Sequence, residues 1–276
     1  MRLRRLNQKD KTMSTIENRG TAVVTGASSG LGAVYAERLA ERGYDLLLVA
    51  RRADRLEALA ETIRGKHGRS VSAFAADLAD DGDLRRLEER IAGDESITLL
   101  VNNAGIGGQK VVAEANAEDI GQQIKVNVVA LSRLTRAVLP GLIRKGGGAV
   151  VNVASVLAFD TGFGGIYSGT KAYVVNFTEG LQRELEGTGV KAQVVLPGPI
   201  KTEFWDIAGS DISALPSEII MSAEDLVDSA LTGLSQGEQF TAPGLADIAE
   251  LEKYQQARGA FYGKLIAGKP ALRYAA

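Results

Sequence analysis

Tyr167, Lys171 and Ser155 have the residue types and the spacing needed for proton transfer beside a bound cofactor. Tyr167 and Lys171 lie four positions apart in a segment with a helical pattern, and Ser155 ends an apolar run twelve positions earlier. Side chains one helical turn apart share a face, and a nearby ammonium lowers the pKa of a tyrosine from its ordinary value of about 10. We predict that Lys171 lowers the pKa of Tyr167, that Tyr167 is a general acid or base, and that Ser155 hydrogen-bonds a substrate carbonyl. By spacing alone, a surface tyrosine and lysine with no special role is the commoner case.

The run TGASSGLG at 25–32 has the composition of a phosphate-binding turn. It follows an apolar β-branched segment and opens an amphipathic one, so it joins a strand to a helix. Glycine lets the main chain approach a phosphate closely, and the first turn of the helix offers free N–H groups. A plain glycine turn without a ligand is the alternative, and this run by itself does not exclude it.

The residues that end the second predicted strand bear on the choice of dinucleotide. An acidic residue there would bind the ribose 2′-hydroxyl of NAD, but this chain has Ala50-Arg51-Arg52. Guanidinium groups bind a 2′-phosphate through charge-assisted hydrogen bonds. We therefore predict NADP(H), with Arg51 as the main contact and Arg52 in support. NAD(H) remains the alternative cofactor, in which case the arginines only open a solvated helix.

Short apolar runs alternate with amphipathic stretches along the chain. Strands are predicted at 21–25, 45–50, 71–76, 97–102, 148–155, 190–196 and 239–242, and the helices between them include a long one over 117–145 that Pro140 interrupts. Continuous Val/Ile/Leu runs are typical of strands covered on both faces. The pattern predicts an α/β fold, a single-domain, Rossmann-like, doubly wound parallel sheet of about seven strands with helices on both faces.

Composition excludes several kinds of site. The 276 residues include no cysteine and one histidine, His67, so thiolate chemistry, a Ser-His-Asp triad and a multi-histidine metal site are not expected, and we predict no metal. Charges nearly balance, with 32 Lys+Arg and 34 Asp+Glu, which gives no sign of a nucleic-acid partner. No apolar run reaches the length of a membrane span, so no membrane partner and a cytoplasmic location are expected.

The predicted domain organisation is simple. Residues 1–18 are expected to form a polar extension, with Met13 as an alternative start, and residues 19–276 one Rossmann-fold domain. Within it, the segment 200–222 mixes apolar residues with Gly209 and Pro216 and is expected to cover a substrate site. Ser222 and Asp225 are spaced to cap the helix that follows, whereas the tail beyond Gly244 gives no clear pattern.

Taken together in chain order, these segments resemble the compact, non-extended branch of the short-chain dehydrogenase/reductase family. The match consists of TGASSGLG (25–32), Asp77-Leu78, the run Asn102 to Gly105, Asn127, Ser155, the run Tyr167 to Lys171, and PGPIKT (197–202). It covers about two thirds of the chain. The tyrosine–lysine pair alone is weak evidence, whereas the ordered set is highly specific. In NADP-preferring members the residue before the second glycine can be basic, and here it is Ser29.

The resemblance implies roles for individual residues. Catalysis would fall to Asn127, Ser155, Tyr167 and Lys171, with Asn127 holding a water that relays protons to Lys171. The alternative for Asn127 is a buried amide that satisfies backbone groups at a kink. Asp77, which is also a candidate cap for the next helix, would lie with Leu78 at the adenine end, and the residues from 197 to 202 would shape the nicotinamide pocket. The implied cofactor-binding residues are Gly26, Ser28, Ser29, Gly30, Leu31, Gly32, Arg51, Arg52, Asp77, Leu78, Asn103, Ala104, Gly105, Tyr167, Lys171, Pro197, Gly198, Ile200 and Thr202.

The function predicted from these residues is hydride transfer between NADP(H) and the carbonyl or secondary alcohol of a small, apolar substrate. Phe204, Trp205 and Ile207 are candidates for one apolar wall, and Phe159, Phe163 and Ile166 for the opposite wall. An NAD-dependent alcohol, polyol or hydroxysteroid dehydrogenase and a non-catalytic dinucleotide sensor are the alternatives. The resemblance also implies a homodimer or homotetramer.

Overall fold

A parallel sheet forms the centre of the computed structural model, which describes residues 18–108, 112–162, 164–208 and 211–274. In that part of the chain the sheet has seven strands, in the order β3-β2-β1-β4-β5-β6-β7. The predicted doubly wound sheet is therefore confirmed. The strands are β1 (Thr21–Thr25), β2 (Asp45–Ala50), β3 (Val71–Ala75), β4 (Ile97–Asn102), β5 (Gly148–Val153), β6 (Val190–Val195) and β7 (Phe240–Thr241).

Helices connect these strands and cover both faces of the sheet. They are α1 (Gly30–Glu41), α2 (Ala53–His67), α3 (Asp81–Ala92), α4 (Ala117–Ile124), α5 (Leu131–Lys145), α6 (Gly165–Glu184), the short α7 (Phe204–Ile207), α8 (Ala223–Gln236) and α9 (Ile248–Leu265). The predicted cap at Ser222 is present, since its Oγ accepts a hydrogen bond from the N–H of Asp225 at 3.0 Å.

Adjacent side chains of each strand enter different halves of the core. Val24 and Leu48 pack with residues of α1, α2 and α8, whereas Val23 and Leu47 pack with residues of α3, α5 and α6. Successive side chains of a strand point to opposite faces, and here both faces are covered. This is the physical reason for the continuous apolar runs in the sequence.

The helical segment 117–145 differs from its prediction. Pro140 lies inside α5, and the helix continues to Lys145 without a break. Leu134 and Leu142, on either side of the proline, are buried in the core, so packing outweighs the missing hydrogen-bond donor. The irregularity lies earlier, in the π-helical stretch Lys125–Ala130 between α4 and α5.

The same segment, Ala117–Lys145, is long and apolar enough by length and composition to cross a membrane, which the sequence analysis did not anticipate. Buried core helices meet this criterion as well, and the described α5 contributes five side chains to one half of the core or its margin. The prediction of no membrane partner stays a prediction.

A ladder of buried polar side chains lies between the central strands. Asn102 of β4 and Asn152 of β5 are register partners, and the Nδ2 of Asn102 donates to the Oδ1 of Asn152 at 2.9 Å. Asn102 also donates to Thr135 of α5, and Asn152 donates to Thr178 of α6, both at 3.0 Å. Two strands and the two helices that cover them are thus joined by side-chain hydrogen bonds.

The chain forms two compact units, one extending through Thr241 and a smaller one from Ala242 onward. The smaller unit contains α9, which begins after Asp247; the side chain of Asp247 accepts a hydrogen bond from the N–H of Ala249. No clear pattern in the sequence predicted this helix. A single domain over 19–276 stays a prediction, and the polar extension 1–18 lies, except for Asn18, outside the described residues.

Candidate active site

A cavity of about 540 Å³ lies at the carboxyl edge of the sheet, lined by residues that follow six of the strands. This is where parallel α/β sheets bind their ligands. Nearly all predicted site residues line it, from both the glycine turn and the tyrosine–lysine pair. Two do not, since Gly32 and Asn127 are absent from the lining.

Ser155 and Tyr167 meet at one end of this cavity. Ser155 lies two residues after the end of β5, and its Oγ accepts a hydrogen bond from the N–H of Leu157 at 3.1 Å. Tyr167 lies in the first turn of α6, and its hydroxyl is hydrogen-bonded to the Ser155 side chain. Burial raises the pKa of Tyr167 to about 12, and the hydrogen bond to Ser155 acts in the opposite direction. The phenol is therefore neutral and available as a proton donor.

Lys171 is buried one helical turn beyond Tyr167. Its Nζ donates to the backbone carbonyl of Val153 at 2.9 Å and lies 5.7 Å from the centroid of the Tyr167 ring. Burial lowers the pKa of Lys171 to about 8. The predicted net lowering of the pKa of Tyr167 was wrong for the structure described, because burial is the dominant influence on this phenol.

Asn127 lies in the π-helical stretch and holds two other parts of the site in place. Its Nδ2 donates to the carbonyl of Ile106 and to the Oγ1 of Thr170, and its Oδ1 accepts from the N–H of Ile106, all within 3.0 Å. Thr170 is the residue before Lys171. These contacts fit the interpretation of a buried amide that satisfies backbone groups at a kink, and the water-relay role stays a prediction.

The glycine turn has the shape that a phosphate requires. Gly26 has a φ of +68°, and a Cβ at Gly32 would overlap the carbonyl oxygen of Gly26. Ser29 precedes α1, but its side chain does not cap the helix. The backbone N–H groups of the first turn therefore keep their capacity to bind an anion. The residues present fit the pyrophosphate of a dinucleotide.

Asn103 supports this turn from β4. Its Nδ2 donates to the carbonyl of Thr25 at 2.8 Å, and the Oγ1 of Thr25 accepts from the N–H groups of both Asn103 and Ala104 at 3.0 Å. These bonds fix the distance between the two strand ends that flank the cavity. Thr202 reaches the turn from the other side, where its side chain lies 3.3 Å from a Cβ built on Gly30.

The two arginines after β2 differ in their surroundings. Arg52 donates from Nη2 to the hydroxyls of Ser29 and Ser28 at 2.8 and 3.1 Å. The exposed Arg51 makes no side-chain hydrogen bond or ion pair within the described part of the chain. Both line the cavity. Arg52 is therefore tied to the glycine turn, and Arg51 projects from the rim with its donors available.

Asp77 is not the cap of the following helix. Its Oδ1 accepts from the N–H of Ala79 at 2.9 Å, and α3 is instead capped by Asp80, whose side chain accepts from Asp83. The alternative that made Asp77 the helix cap was wrong, because the capping residue lies three positions later. Asp77 and Leu78 both line the cavity, and their contact with the adenine end stays a prediction.

The apolar walls are only partly those predicted. Phe204 and Trp205 line the cavity, but Phe159 and Ile166 do not, and Phe159 is 45% exposed. Phe163 and the side chain of Ile207 lie outside what the structure describes. Sequence reasoning missed several other apolar residues of the lining, although two of them directly follow Ser155: Ile106, Val156, Leu157, Leu215 and Ile219.

Comparison with known proteins agrees with this geometry. The short chain dehydrogenase family model matches residues 20–212. A serine 3-dehydrogenase of Agrobacterium fabrum is 37% identical over 188 residues, which are 67% of this chain and 74% of the relative.

Two solved structures share the fold closely. A short-chain dehydrogenase from Sphingobium yanoikuyae in complex with NADPH is 42% identical with a TM-score of 0.89, over 92% of this chain and 100% of the other. A bulky-bulky ketone specific alcohol dehydrogenase from Comamonas testosteroni is 35% identical with a TM-score of 0.86, over 94% and 100%. The chain belongs to the short-chain dehydrogenase/reductase family and is an NAD(P)-dependent oxidoreductase.

Proposed function

We propose that the protein is an NADP(H)-dependent carbonyl reductase that acts on ketones with apolar substituents. The observation that carries the proposal is the placement of Ser155, Tyr167 and Lys171 in the same cavity as the glycine turn and the arginines that follow β2. When bound, NADPH would supply the hydride for the carbonyl carbon. The protein supplies the binding site, the orientation of the carbonyl and the proton.

The side chains divide the work at the carbonyl oxygen. The Ser155 hydroxyl donates a hydrogen bond to the oxygen and stabilises the negative charge that develops there. Tyr167, neutral because burial raises its pKa to about 12, donates the proton that completes the alcohol. Lys171 places a buried positive charge beneath the phenol ring, which favours the phenolate left after proton transfer. In the reverse direction the phenolate accepts the proton.

The arginine-bearing rim supports NADP(H) over NAD(H). Arg51 and Arg52 stand where an acidic residue would bind the 2′-hydroxyl of NAD, and guanidinium groups suit a phosphate. The Sphingobium relative is described in complex with NADPH. An NAD-dependent dehydrogenase remains the alternative, and it predicts equal or tighter binding of NADH.

The substrate class follows from the apolar lining. Phe204, Trp205, Leu215 and Ile219 line the cavity, and the ring of Phe204 lies 5.9 Å from that of Tyr167. The site therefore favours a hydrophobic ketone over a polyol or a charged amino acid such as serine. The Comamonas relative is described as specific for bulky-bulky ketones, which supports the same class. A homodimer or homotetramer in the cytoplasm is also our proposal.

The decisive experiment replaces Tyr167 with Phe and follows NADPH oxidation on a panel of bulky ketones. We expect turnover to fall by about 1,000-fold, the size of a lost general acid, while NADPH binding persists. Tyr173→Phe is the matched control, because Tyr173 lies on the same helix and its hydroxyl pairs with Ser132 outside the cavity. Unchanged turnover in the Tyr167 variant would refute the assignment.

A further inference from the structure

Glu203 forms an ion pair across the mouth of the cavity. Its carboxylate lies 3.0 Å from the Nη1 of Arg55 and 3.4 Å from the Nη1 of Arg52. Glu203 belongs to the segment after β6, whereas both arginines belong to the start of α2. The hydrogen bond from Arg55 holds the pKa of Glu203 below its ordinary value, and Arg52 acts in the same direction. Glu203 is therefore a permanent anion facing two cations.

The donors around this carboxylate form an anion-binding group. Arg52 contacts Glu203 through Nη1 while its Nε and Nη2 donate to the hydroxyl of Ser28, and Nη2 also donates to Ser29. A carboxylate and a phosphate use the same donors of a guanidinium. The cavity lining includes Ser28, Ser29, Arg52 and Glu203. The end of β2 beside them is where dinucleotide-binding folds bind the adenosine ribose.

The residue next to Glu203 contacts the opposite end of the site. The ring of Phe204 lies 5.9 Å from the ring of Tyr167, centroid to centroid, and a Cβ at Gly107 would overlap it. Trp205 follows, with its indole N–H bonded to the carbonyl of Ile200 at 2.8 Å. Three consecutive residues thus connect the arginines of α2 with the phenol of α6.

We propose that Glu203 determines cofactor specificity by occupying, on Arg52 and Arg55, the place of the 2′-phosphate of NADP(H). A dinucleotide with that phosphate displaces the carboxylate and frees the segment 203–205. A dinucleotide without it leaves the ion pair intact. Glu203 therefore reduces the preference for NADP(H) and couples the presence of the 2′-phosphate to the position of Phe204 beside Tyr167. This inference rests on the proposed function of the same site.

The first test measures the dissociation constants of NADP⁺ and NAD⁺ by calorimetry for the wild-type protein and Glu203→Gln. We expect the variant to bind NADP⁺ about fivefold more tightly, the scale of one exposed ion pair, with NAD⁺ binding unchanged. Glu218→Gln is the matched control. It makes the same charge change in the same segment, but Glu218 is exposed and does not line the cavity.

A second measurement uses Trp205, which is the only tryptophan of the chain. Adenosine 2′,5′-bisphosphate carries the 2′-phosphate without a nicotinamide, and AMP lacks it. We expect the bisphosphate to change the emission of Trp205 in the wild-type protein and AMP not to do so. In Glu203→Gln the emission should already be changed before any nucleotide is added.

The outcomes separate this inference from the function beneath it. Suppose that the wild-type protein binds NADP⁺ and that Glu203→Gln binds it with equal or lower affinity. The role of Glu203 is then refuted, while the reductase function stands. The same conclusion follows if the variant gains as much affinity for NAD⁺ as for NADP⁺. If the wild-type protein binds neither dinucleotide, both are refuted. Glu203→Asp, which keeps the charge on a shorter side chain, should bind NADP⁺ with an affinity between those of the other two proteins.

Discussion

The catalytic end of the cavity and its arginine rim are built from different interactions. Lys171 is 4% exposed and is held by a backbone carbonyl, whereas the side chains of Arg55 and Glu203 at the rim are 47% and 49% exposed and hold each other by charge. Buried hydrogen bonds are costly to leave unmade, and exposed ion pairs contribute little. Under the proposed function, burial fixes the groups of proton transfer, whereas the choice of dinucleotide depends on exposed charges.

After the loss of the Tyr167 hydroxyl, removal of the buried ammonium should produce the largest effect. We expect Lys171→Met to lower kcat/KM for ketone reduction by at least about 100-fold, because the charge that stabilises the phenolate is lost. The melting temperature should not fall at neutral pH, because an ammonium that is costly to bury is replaced by an apolar chain of similar length. Steady-state kinetics and thermal unfolding measure both. The control is Lys191→Met, which makes the same change at an exposed position of β6. If Lys171→Met kept activity within tenfold of wild type, the assigned role of Lys171 would be contradicted.

The pH dependence of ketone reduction should reflect the deprotonation of Lys171. Because the pKa of Lys171 is lowered to about 8, kcat/KM for reduction should decrease above pH 8 by about tenfold per pH unit. The sign for stability is opposite. Between about 8 and 10.5 the unfolded chain holds the lysine proton and the folded chain has released it, so this residue's contribution to the free energy of unfolding rises with pH. A flat activity profile up to pH 10 would show that the lysine stays charged.

At the rim, substitution should affect binding and leave the chemical step intact. We expect Arg52→Ala to raise the dissociation constant of NADPH by about tenfold through the loss of charge-assisted hydrogen bonds, with kcat at saturating cofactor and the NADH affinity nearly unchanged. Arg85→Ala on α3 is a control for the loss of a surface charge. A larger effect of Arg51→Ala would make Arg51, as the sequence suggested, the main contact.

The smallest expected effect is that of salt, which should weaken cofactor binding at the rim without changing turnover at the catalytic end. Raising the ionic strength to about 0.5 M shortens the screening length to a few ångströms, so NADPH should bind about threefold more weakly. The turnover at saturating NADPH should hardly respond, because the groups around Tyr167 are buried. Equal salt sensitivity of binding and turnover would remove the distinction between the ends.

The sequence predicted the framework well because each part of it is local. The strand ends of β1, β2 and β4 follow from apolar runs, and the glycine turn and the Tyr167–Lys171 pair follow from spacing. The sequence pattern does not show how deeply a side chain is buried, and burial reversed the expected shift of the Tyr167 pKa. It also does not show which distant residues form pairs. Arg52 and Glu203 are 151 residues apart, and nothing in either segment indicates the other.

Two further misses have packing as their cause. Pro140 does not end its helix, because the apolar residues on both sides of it are buried. Val156 and Leu157, in the short turn after Ser155, line the cavity where Phe159 and Ile166 were predicted to do so. Side-chain direction after a strand depends on that turn, and hydrophobicity alone does not reveal it.

The hydrogen-bonded asparagines in the middle of the sheet have a consequence for redesign. Asn102 immediately precedes Asn103, and Asn152 lies three residues before Ser155, so the pair fixes how far both strands extend into the cavity. If one strand shifted by a single residue, an amide would be stranded among hydrocarbon side chains, a cost that an apolar pair would not incur. Laboratory evolution can therefore extensively reshape the wall formed by Trp205, Leu215 and Ile219, since the alignment of the reacting groups is secured elsewhere.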